Sequence, residues 1–125
     1  MNDERLARSR TELAAARVLV SSGYPAQGIS RAYYAAFFAA EAALLALGET
    51  RSKHSGVIAA FGQLVVKDAG VSREIGAVLS GLFQLRLTAD HGPGEFAPDE
   101  AARSIADAER FVTAVDDWLQ RRSAI

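Results

Sequence analysis

The chain of 125 residues contains no cysteine, three prolines and one methionine. The absence of cysteine excludes a disulfide framework and a thiolate metal site. Because proline is scarce, long stretches carry no residue that would break a helix. The first residues, MNDERLARSR, lack the apolar core of a signal peptide. We therefore expect a cytoplasmic protein that is built from helices.

The chain also lacks a charge of predominant sign. It carries 14 Lys and Arg residues against 15 Asp and Glu residues. Any contact with nucleic acid must then come from a local basic patch, which disfavours a protein that coats DNA. Half of the residues are hydrophobic, a composition that suits one compact domain spanning residues 1–125.

The longest apolar stretch is SRAYYAAFFAAEAALLALG, residues 30–48. Its Ala, Leu, Phe and Tyr residues indicate a helix that is apolar on nearly every side and must be covered by other helices. Arg31 and Glu41 argue against a membrane span, and we expect both to form structural ion pairs. Tyr33 and Tyr34 are predicted to lie in the core or in an interface.

The remaining apolar repeats predict helices around this central one. We predict five helices, bounded as follows: Asp3 to Ser22, from just after Pro25 to Gly48, about Ser55 to Asp68, Arg73 to about Ala89, and Pro98 onward. The fold class is therefore all-α, with four long helices and one short helix in an up-and-down bundle.

Several side chains carry more specific predictions about these helices. Gly23 is expected to end the first helix, either Ser52 or Ser55 to cap the third, and Ser72 to cap the fourth. The buried stripe of the fourth helix is predicted to consist of Ile75, Val78, Leu79, Leu82, Leu85 and Ala89. Trp118 of the last helix is expected in the core.

The candidate chemistry lies at the end of the fourth helix. Arg86 and His91 have four residues between them and precede the break Gly92-Pro93-Gly94. A guanidinium binds phosphate with two donors, and an imidazole exchanges a proton near neutral pH, so the two suit phosphodiester chemistry. Five steps along a regular helix amount to about 500°, so both side chains converge only if the helix ends. We expect the Gly92-Pro93-Gly94 break to supply that ending and to release His91 to fold back over the last turn. We expect Asp90 to pair with Arg86.

A second, weaker group of candidates lies in the polar connection 49–55. Lys53 and His54 are candidate RNA contacts together with Asp90. For His54 a capping or solvated role is the favoured alternative. No spacing of residues typical of a metal site, a phosphate loop or a Ser-His-Asp triad occurs in the sequence, so we expect no metal and no cofactor.

The stretch 30–48, the sequence KHSGVIAAF, the hexapeptide from Arg86 to His91 and the long last helix together resemble the HEPN superfamily, named for its occurrence in higher eukaryotes and prokaryotes. The resemblance implies a metal-independent ribonuclease with an Arg-x4-6-His motif at a symmetric dimer interface. It also implies a toxin paired with a nucleotidyltransferase antitoxin. On this resemblance Arg86 and His91 are the catalytic pair, RNA is the substrate, and the chain is a homodimer.

Two positions depart from the pattern of active members. Leu87 stands where a polar residue often follows the Arg, and Pro93 stands where a Tyr commonly follows the His, so a switch by adenylylation of that Tyr is not expected. Three functions remain open. These are a ribonuclease toxin, a non-catalytic binding partner of a nucleotidyltransferase, and a dimeric helical scaffold.

Overall fold

The structure is a computed structural model that describes residues 2–91 and 95–123, with the side chains of residues 4–90 and 95–123. The described part of the chain is helical and contains no β-strand. In chain order its helices are α1 (Asn2–Ser21), α2 (Pro25–Ala46), α3 (His54–Ala60), the π-helix π1 (Phe61–Asp68), α4 (Arg73–His91) and α5 (Pro98–Ser123). The predicted all-α class is confirmed.

Helix α2 lies at the centre of the fold, as predicted. It packs against α1, α3, π1, α4 and α5. Its alanines on several sides, such as Ala32, Ala36, Ala39 and Ala43, are fully buried, since short side chains let the neighbouring helices approach closely. Within the described residues, no helix is long and apolar enough to cross a membrane.

The helix ends follow signals that are visible in the sequence. Gly23 adopts a φ of 91° just after α1, a left-handed conformation that glycine adopts without strain. Pro25 and Pro98 are the first residues of α2 and α5. The Ser72 hydroxyl accepts a hydrogen bond of 3.1 Å from the backbone N–H of Glu74, which confirms Ser72 as a cap of α4.

The third predicted helix has the expected extent but a different geometry. It starts at His54, one residue early, and changes at Phe61 into the π-helix π1. Phe61 and Val65 of π1 are fully buried, and the Phe61 ring lies 5.1 Å from the ring of Phe111 in α5. Because apolar spacing alone does not distinguish an α-turn from a π-turn, π1 could not be predicted from the pattern of residues.

The predicted cap of this helix is wrong. The N-cap position belongs to Lys53, and no side-chain hydrogen bond caps the start of α3, so neither Ser52 nor Ser55 fills this role. Lys53 has an extended backbone, with φ −109° and ψ 148°, and the residue is exposed.

The buried stripe of α4 is rotated from the predicted one. Leu79 and Leu82 are buried as expected, but Leu85 is 37% exposed, so its prediction as a core residue is wrong. The stripe turns toward Phe83 and Arg86, whose side chains contact the tyrosines of α2. Trp118 of α5 is buried, which confirms its predicted place in the core.

Both charges on α2 have partners, as predicted. Arg31 Nη1 lies 3.2 Å from Oε1 of Glu12, and Glu41 Oε1 lies 3.7 Å from Nε of Arg5. Both pairs join α2 to α1 at the edge of the core. Burial raises the pKa of the Glu41 carboxyl, while the positive charges of Arg5 and Arg8 act in the opposite direction.

We expect the substitution Gly28→Ala to destabilise the fold. A Cβ at Gly28 would lie 2.5 Å from Cγ2 of Val20 and 3.2 Å from the carbonyl oxygen of Ala16, where α1 passes close to α2. Overpacking of this kind costs roughly 1 to 3 kcal/mol of the unfolding free energy. The matched control is Gly81→Ala in α4, which meets nothing within 4 Å and should gain about 0.5 to 1 kcal/mol. Equal unfolding free energies of the two variants by denaturant titration would contradict the close approach.

The raised pKa of Glu41 predicts a pH-dependent effect of Glu41→Gln. Because the folded state takes up the proton more readily than the unfolded chain, the charged carboxylate costs stability at pH 7, and this cost disappears as the pH falls through the raised pKa. Glu41→Gln should therefore raise the unfolding free energy at pH 7, and the difference from the parent protein should shrink toward pH 4. If the variant is instead less stable at pH 7, the ion pair with Arg5 stabilises the folded protein by more than the burial of the Glu41 charge destabilises it.

Candidate functional site

Arg86 lies near the end of α4, and its side chain packs against α2 instead of extending into solvent. Only 13% of the side chain is exposed. Its Nη2 donates a hydrogen bond of 3.1 Å to the hydroxyl of Tyr34. The guanidinium carbon lies 5.2 Å from the ring centre of Tyr33, 5.3 Å from that of Tyr34 and 5.9 Å from that of Phe83. Hydrogen bonding and cation–π attraction together fix the position of this cation.

Asp90 connects Arg86 to α2 by a second route. Nε of Arg86 lies 3.5 Å from Oδ2 of Asp90, one turn later on α4, so the predicted pairing is confirmed. The hydroxyl of Ser30, at the start of the central stretch, donates a hydrogen bond of 3.0 Å to Oδ1 of Asp90. Ser30 and Tyr34, one turn apart on α2, thus hold two charged groups of α4.

His54 occupies a different position from the one we favoured. It is the first residue of α3, and its imidazole is half-buried against α2. The ring is stacked on Phe37 at a centre-to-centre distance of 4.2 Å, and Nδ1 lies 2.8 Å from the hydroxyl of Tyr33. The capping or solvated role is therefore wrong, because the ring is turned into the aromatic residues of α2.

The surroundings shift the pKa values of both partners in this contact. Burial lowers the pKa of His54, and the positive charge of Arg86 lowers it further. Burial raises the pKa of the Tyr33 phenol well above its usual range, against the attraction of Arg86. Both groups are consequently neutral at pH 7. Arg86 is the charged residue whose positive charge acts on both of them.

His91, the predicted partner of Arg86, is the last residue of α4, which runs two residues beyond the predicted end at Ala89. The folding back of His91 over the last turn of α4 stays a prediction. The side chain of His91 and the whole of the Gly92-Pro93-Gly94 break lie outside the described residues.

An open groove runs beside Asp90. Its wall is formed by residues of α1, α2 and α4, namely Leu19, Ala26, Gln27, Ser30, Arg31, Ala89 and Asp90. The guanidinium of Arg31 lies over the ring of Tyr34, 4.7 Å from its centre. Within the ranges that the structure describes, no group of three or more His, Asp or Glu residues is placed to hold a metal ion.

Sequence reasoning identified Arg86 and Asp90 and missed the α2 residues that hold them. The structure brings Arg86 and Asp90 together. It places the ring of His54 against Tyr33 and Tyr34, the tyrosines that Arg86 also contacts. Lys53, in contrast, is exposed at the start of α3. A signal was present, because a buried tyrosine hydroxyl needs a polar partner. Two adjacent tyrosines in an apolar helix thus predict that two polar groups from other segments of the chain form hydrogen bonds with their hydroxyls.

The helical bundle and its long last helix place the chain in a class of small all-α proteins, and comparison with known proteins gives the family. The family model described as "HEPN domain" matches residues 3–118. The chain therefore belongs to the HEPN family, as its resemblance to that superfamily indicated.

Relatives and a solved structure agree with this assignment. The chain is 36% identical over 114 residues to a UPF0332 protein of Thermotoga maritima, covering 90% of this chain and 86% of the relative. It is 33% identical over 108 residues to a Methanocaldococcus jannaschii protein named "Putative toxin MJ0605", covering 86% and 81%. The crystal structure of TT1696 from Thermus thermophilus matches with a TM-score of 0.81 over 94% of this chain and 97% of that one, at 20% identity, and supports the fold.

Proposed function

We propose that this protein is a metal-independent ribonuclease of the cytoplasm and the toxin of a toxin–antitoxin pair. Membership of the HEPN family and a relative named as a putative toxin support the proposal. Arg86 and His91 form the catalytic pair, with the spacing of the Arg-x4-6-His motif.

The observation that carries the proposal is the way in which Arg86 is held. Its Nη2 is hydrogen-bonded to Tyr34, and its buried Nε lies 3.5 Å from Asp90 and has no hydrogen-bond partner among the described residues. A guanidinium that is fixed by two helices loses little further freedom when it binds a phosphate, and this preorganisation favours electrostatic catalysis.

The reaction needs one proton acceptor and one proton donor, of which His91 supplies one and solvent water the other. The ribose 2′-hydroxyl attacks the phosphorus, its proton leaves to a base, the bond from phosphorus to the 5′-oxygen breaks, and the leaving oxygen takes up a proton. Arg86 neutralises the charge that builds up on the phosphate oxygens, and the imidazole of His91 moves a proton to or from one of the two oxygens.

The positions of these two residues on α4 support a homodimer. Five residues along a helix correspond to a rotation of about 500°, so the backbone positions of Arg86 and His91 lie on different sides of α4. Two copies that meet at the ends of α4 would bring an Arg86 from one protomer toward a His91 from the other. The substrate-binding role of Lys53, His54 and Asp90 belongs to the same proposal.

A second candidate function is that of a non-catalytic binding partner of a nucleotidyltransferase. A nucleotidyltransferase is also the antitoxin that we propose for the ribonuclease toxin. The observation that favours it is the pair between Arg86 and Asp90, since a carboxylate at 3.5 Å neutralises part of the charge that a phosphate would need. Leu87 in place of a polar residue points the same way. A plain helical scaffold is the remaining alternative.

The catalytic proposal predicts RNA cleavage in the presence of excess EDTA. Purified protein incubated with total RNA should cleave it, Arg86→Ala should abolish cleavage, and Arg86→Lys should retain a trace because the charge remains without the two-donor grip. His91→Ala should lower turnover by roughly 100- to 10,000-fold with RNA binding nearly intact.

Arg103→Ala is the matched control, because Arg103 is an exposed arginine of α5 and takes no part in the contacts that hold Arg86. Thermal melting of each variant separates loss of activity from loss of folding, which is needed because Arg86 is largely buried. If the parent protein does not cleave RNA, a non-catalytic partner of a nucleotidyltransferase becomes the better-supported function. If cleavage depends on added metal, the proposed metal-independent chemistry is wrong.

The dimer predicts a solution mass of twice the 13.3 kDa of one chain by light scattering at micromolar concentration. Leu85, 37% exposed one position before Arg86, is a large apolar side chain on the surface of α4. We expect Leu85→Glu to shift the mass toward that of the monomer, because it places a charge in the interface. Val18→Glu, at a residue that is 63% exposed on α1, is the control and should leave the mass unchanged. A monomeric parent protein would contradict the composite site.

A further inference from the structure

The contact between Tyr33 and His54 fixes the protonation of the imidazole. Tyr33 is fully buried, and Nδ1 of His54, at 2.8 Å, is the hydrogen-bond partner of its hydroxyl among the described residues. A buried hydroxyl proton without an acceptor is costly, so Tyr33 donates to Nδ1. The neutral imidazole then carries its own proton on Nε2.

A second proton on this ring would cost energy for two reasons. It would leave the Tyr33 hydroxyl proton without an acceptor, and it would add a positive charge close to Arg86. The described groups that face the ring are Tyr33, Tyr34 and Phe37 from α2 and Arg86 from α4, and none of them is a carboxylate that would stabilise an imidazolium. His54 is thus held as a neutral donor through Nε2.

The imidazole of His54 and the guanidinium of Arg86 both lie close to the rings of Tyr33 and Tyr34. The His54 ring centre is 5.8 Å from that of Tyr33 and 5.7 Å from that of Tyr34, while the Arg86 guanidinium carbon is 5.2 Å and 5.3 Å from the same two centres. No described residue accepts a hydrogen bond from Nε2, and Nε2 is not among the buried unpaired atoms of the described side chains. The Nε2–H group therefore remains for a partner from outside these residues.

We propose that Nε2–H of His54 and the guanidinium of Arg86 form one subsite for a phosphodiester group of single-stranded RNA, in which His54 donates to a non-bridging oxygen and Arg86 supplies the charge. The proposal rests on the ribonuclease function proposed above and assigns His54 a role within it. His54 binds the phosphate and does not transfer a proton. A neutral imidazole achieves this without repelling Arg86, as a second cation would.

The first test is the nitrogen spectrum of the imidazole in ¹⁵N-labelled protein. We expect the Nε2–H tautomer at pH 7 and a pKa of His54 below its ordinary value of 6.5, because burial and Arg86 both lower it. In Tyr33→Phe, which removes the hydroxyl and keeps the ring, both tautomers should appear and the pKa should rise. An Nδ1–H tautomer in the parent protein would overturn the proposal.

The second test is binding of an octamer of 2′-O-methyl uridine, which carries phosphodiester groups and has no 2′-hydroxyl to react. Adding it should shift the Nε2 resonance of His54 and the Nε resonance of Arg86 over the same concentration range. A shift of Arg86 without one of His54 would overturn the shared subsite. This binding test does not need cleavage, so it decides the subsite even if the protein proves inactive.

The third test compares two substitutions in the cleavage assay. His54→Gln keeps an N–H donor near the position of Nε2 and should stay within about tenfold of the parent kcat/KM, whereas His54→Leu keeps bulk without a donor and should lose about 10- to 100-fold. If Gln lowers the activity as strongly as Leu, by about 100-fold or more, His54 transfers a proton and the proposal is wrong. If Leu is as active as the parent protein, His54 does not contact the substrate, and the proposal is equally wrong.

Discussion

The structure depends on burying α2, a helix that is apolar on almost every side and yet carries two tyrosines next to each other. Tyr33 is fully buried and Tyr34 partly so, and each hydroxyl needs a polar partner from another segment of the chain. Tyr33 pairs with His54 at the start of α3, and Tyr34 with Arg86 at the end of α4. The hydrogen bonds that satisfy the core are therefore the same ones that position the polar groups of the candidate site.

Much of the fold was readable from the sequence because its signals are local. Gly23, Pro25, Ser72 and Pro98 mark helix ends through their own backbone chemistry, and apolar spacing marked the helices between them. The error in the buried stripe of α4 has a tertiary cause. Leu85 satisfies the helical period but lies outside the contact with α2, because the larger Phe83 and the partnered Arg86 occupy that contact instead.

The site was predicted in part. Contacts between residues close in sequence were predicted, and contacts between residues far apart in sequence were not. Arg86 and Asp90 are one turn apart on α4, so their pairing follows from helix geometry. Tyr33 and His54 are 21 residues apart and Ser30 and Asp90 are 60 apart, and nothing local in the sequence selects those partners. A lone histidine in a polar connection resembles a solvated residue until the rings of α2 are known to lie beside it.

Building a site on the most deeply buried helix has a consequence for how it meets a ligand. Tyr34 and Phe37 of α2 orient Arg86 and His54 before any phosphate arrives, so binding orders few additional side chains. The cost is that Asp90 already lies 3.5 Å from Arg86 and must share that charge with an incoming anion. Ser30 limits this competition, because its hydroxyl donates to Oδ1 of Asp90 and gives the carboxylate a second partner on α2. A phosphate then competes with a carboxylate that is already stabilised elsewhere, while Arg86 stays fixed by Tyr34.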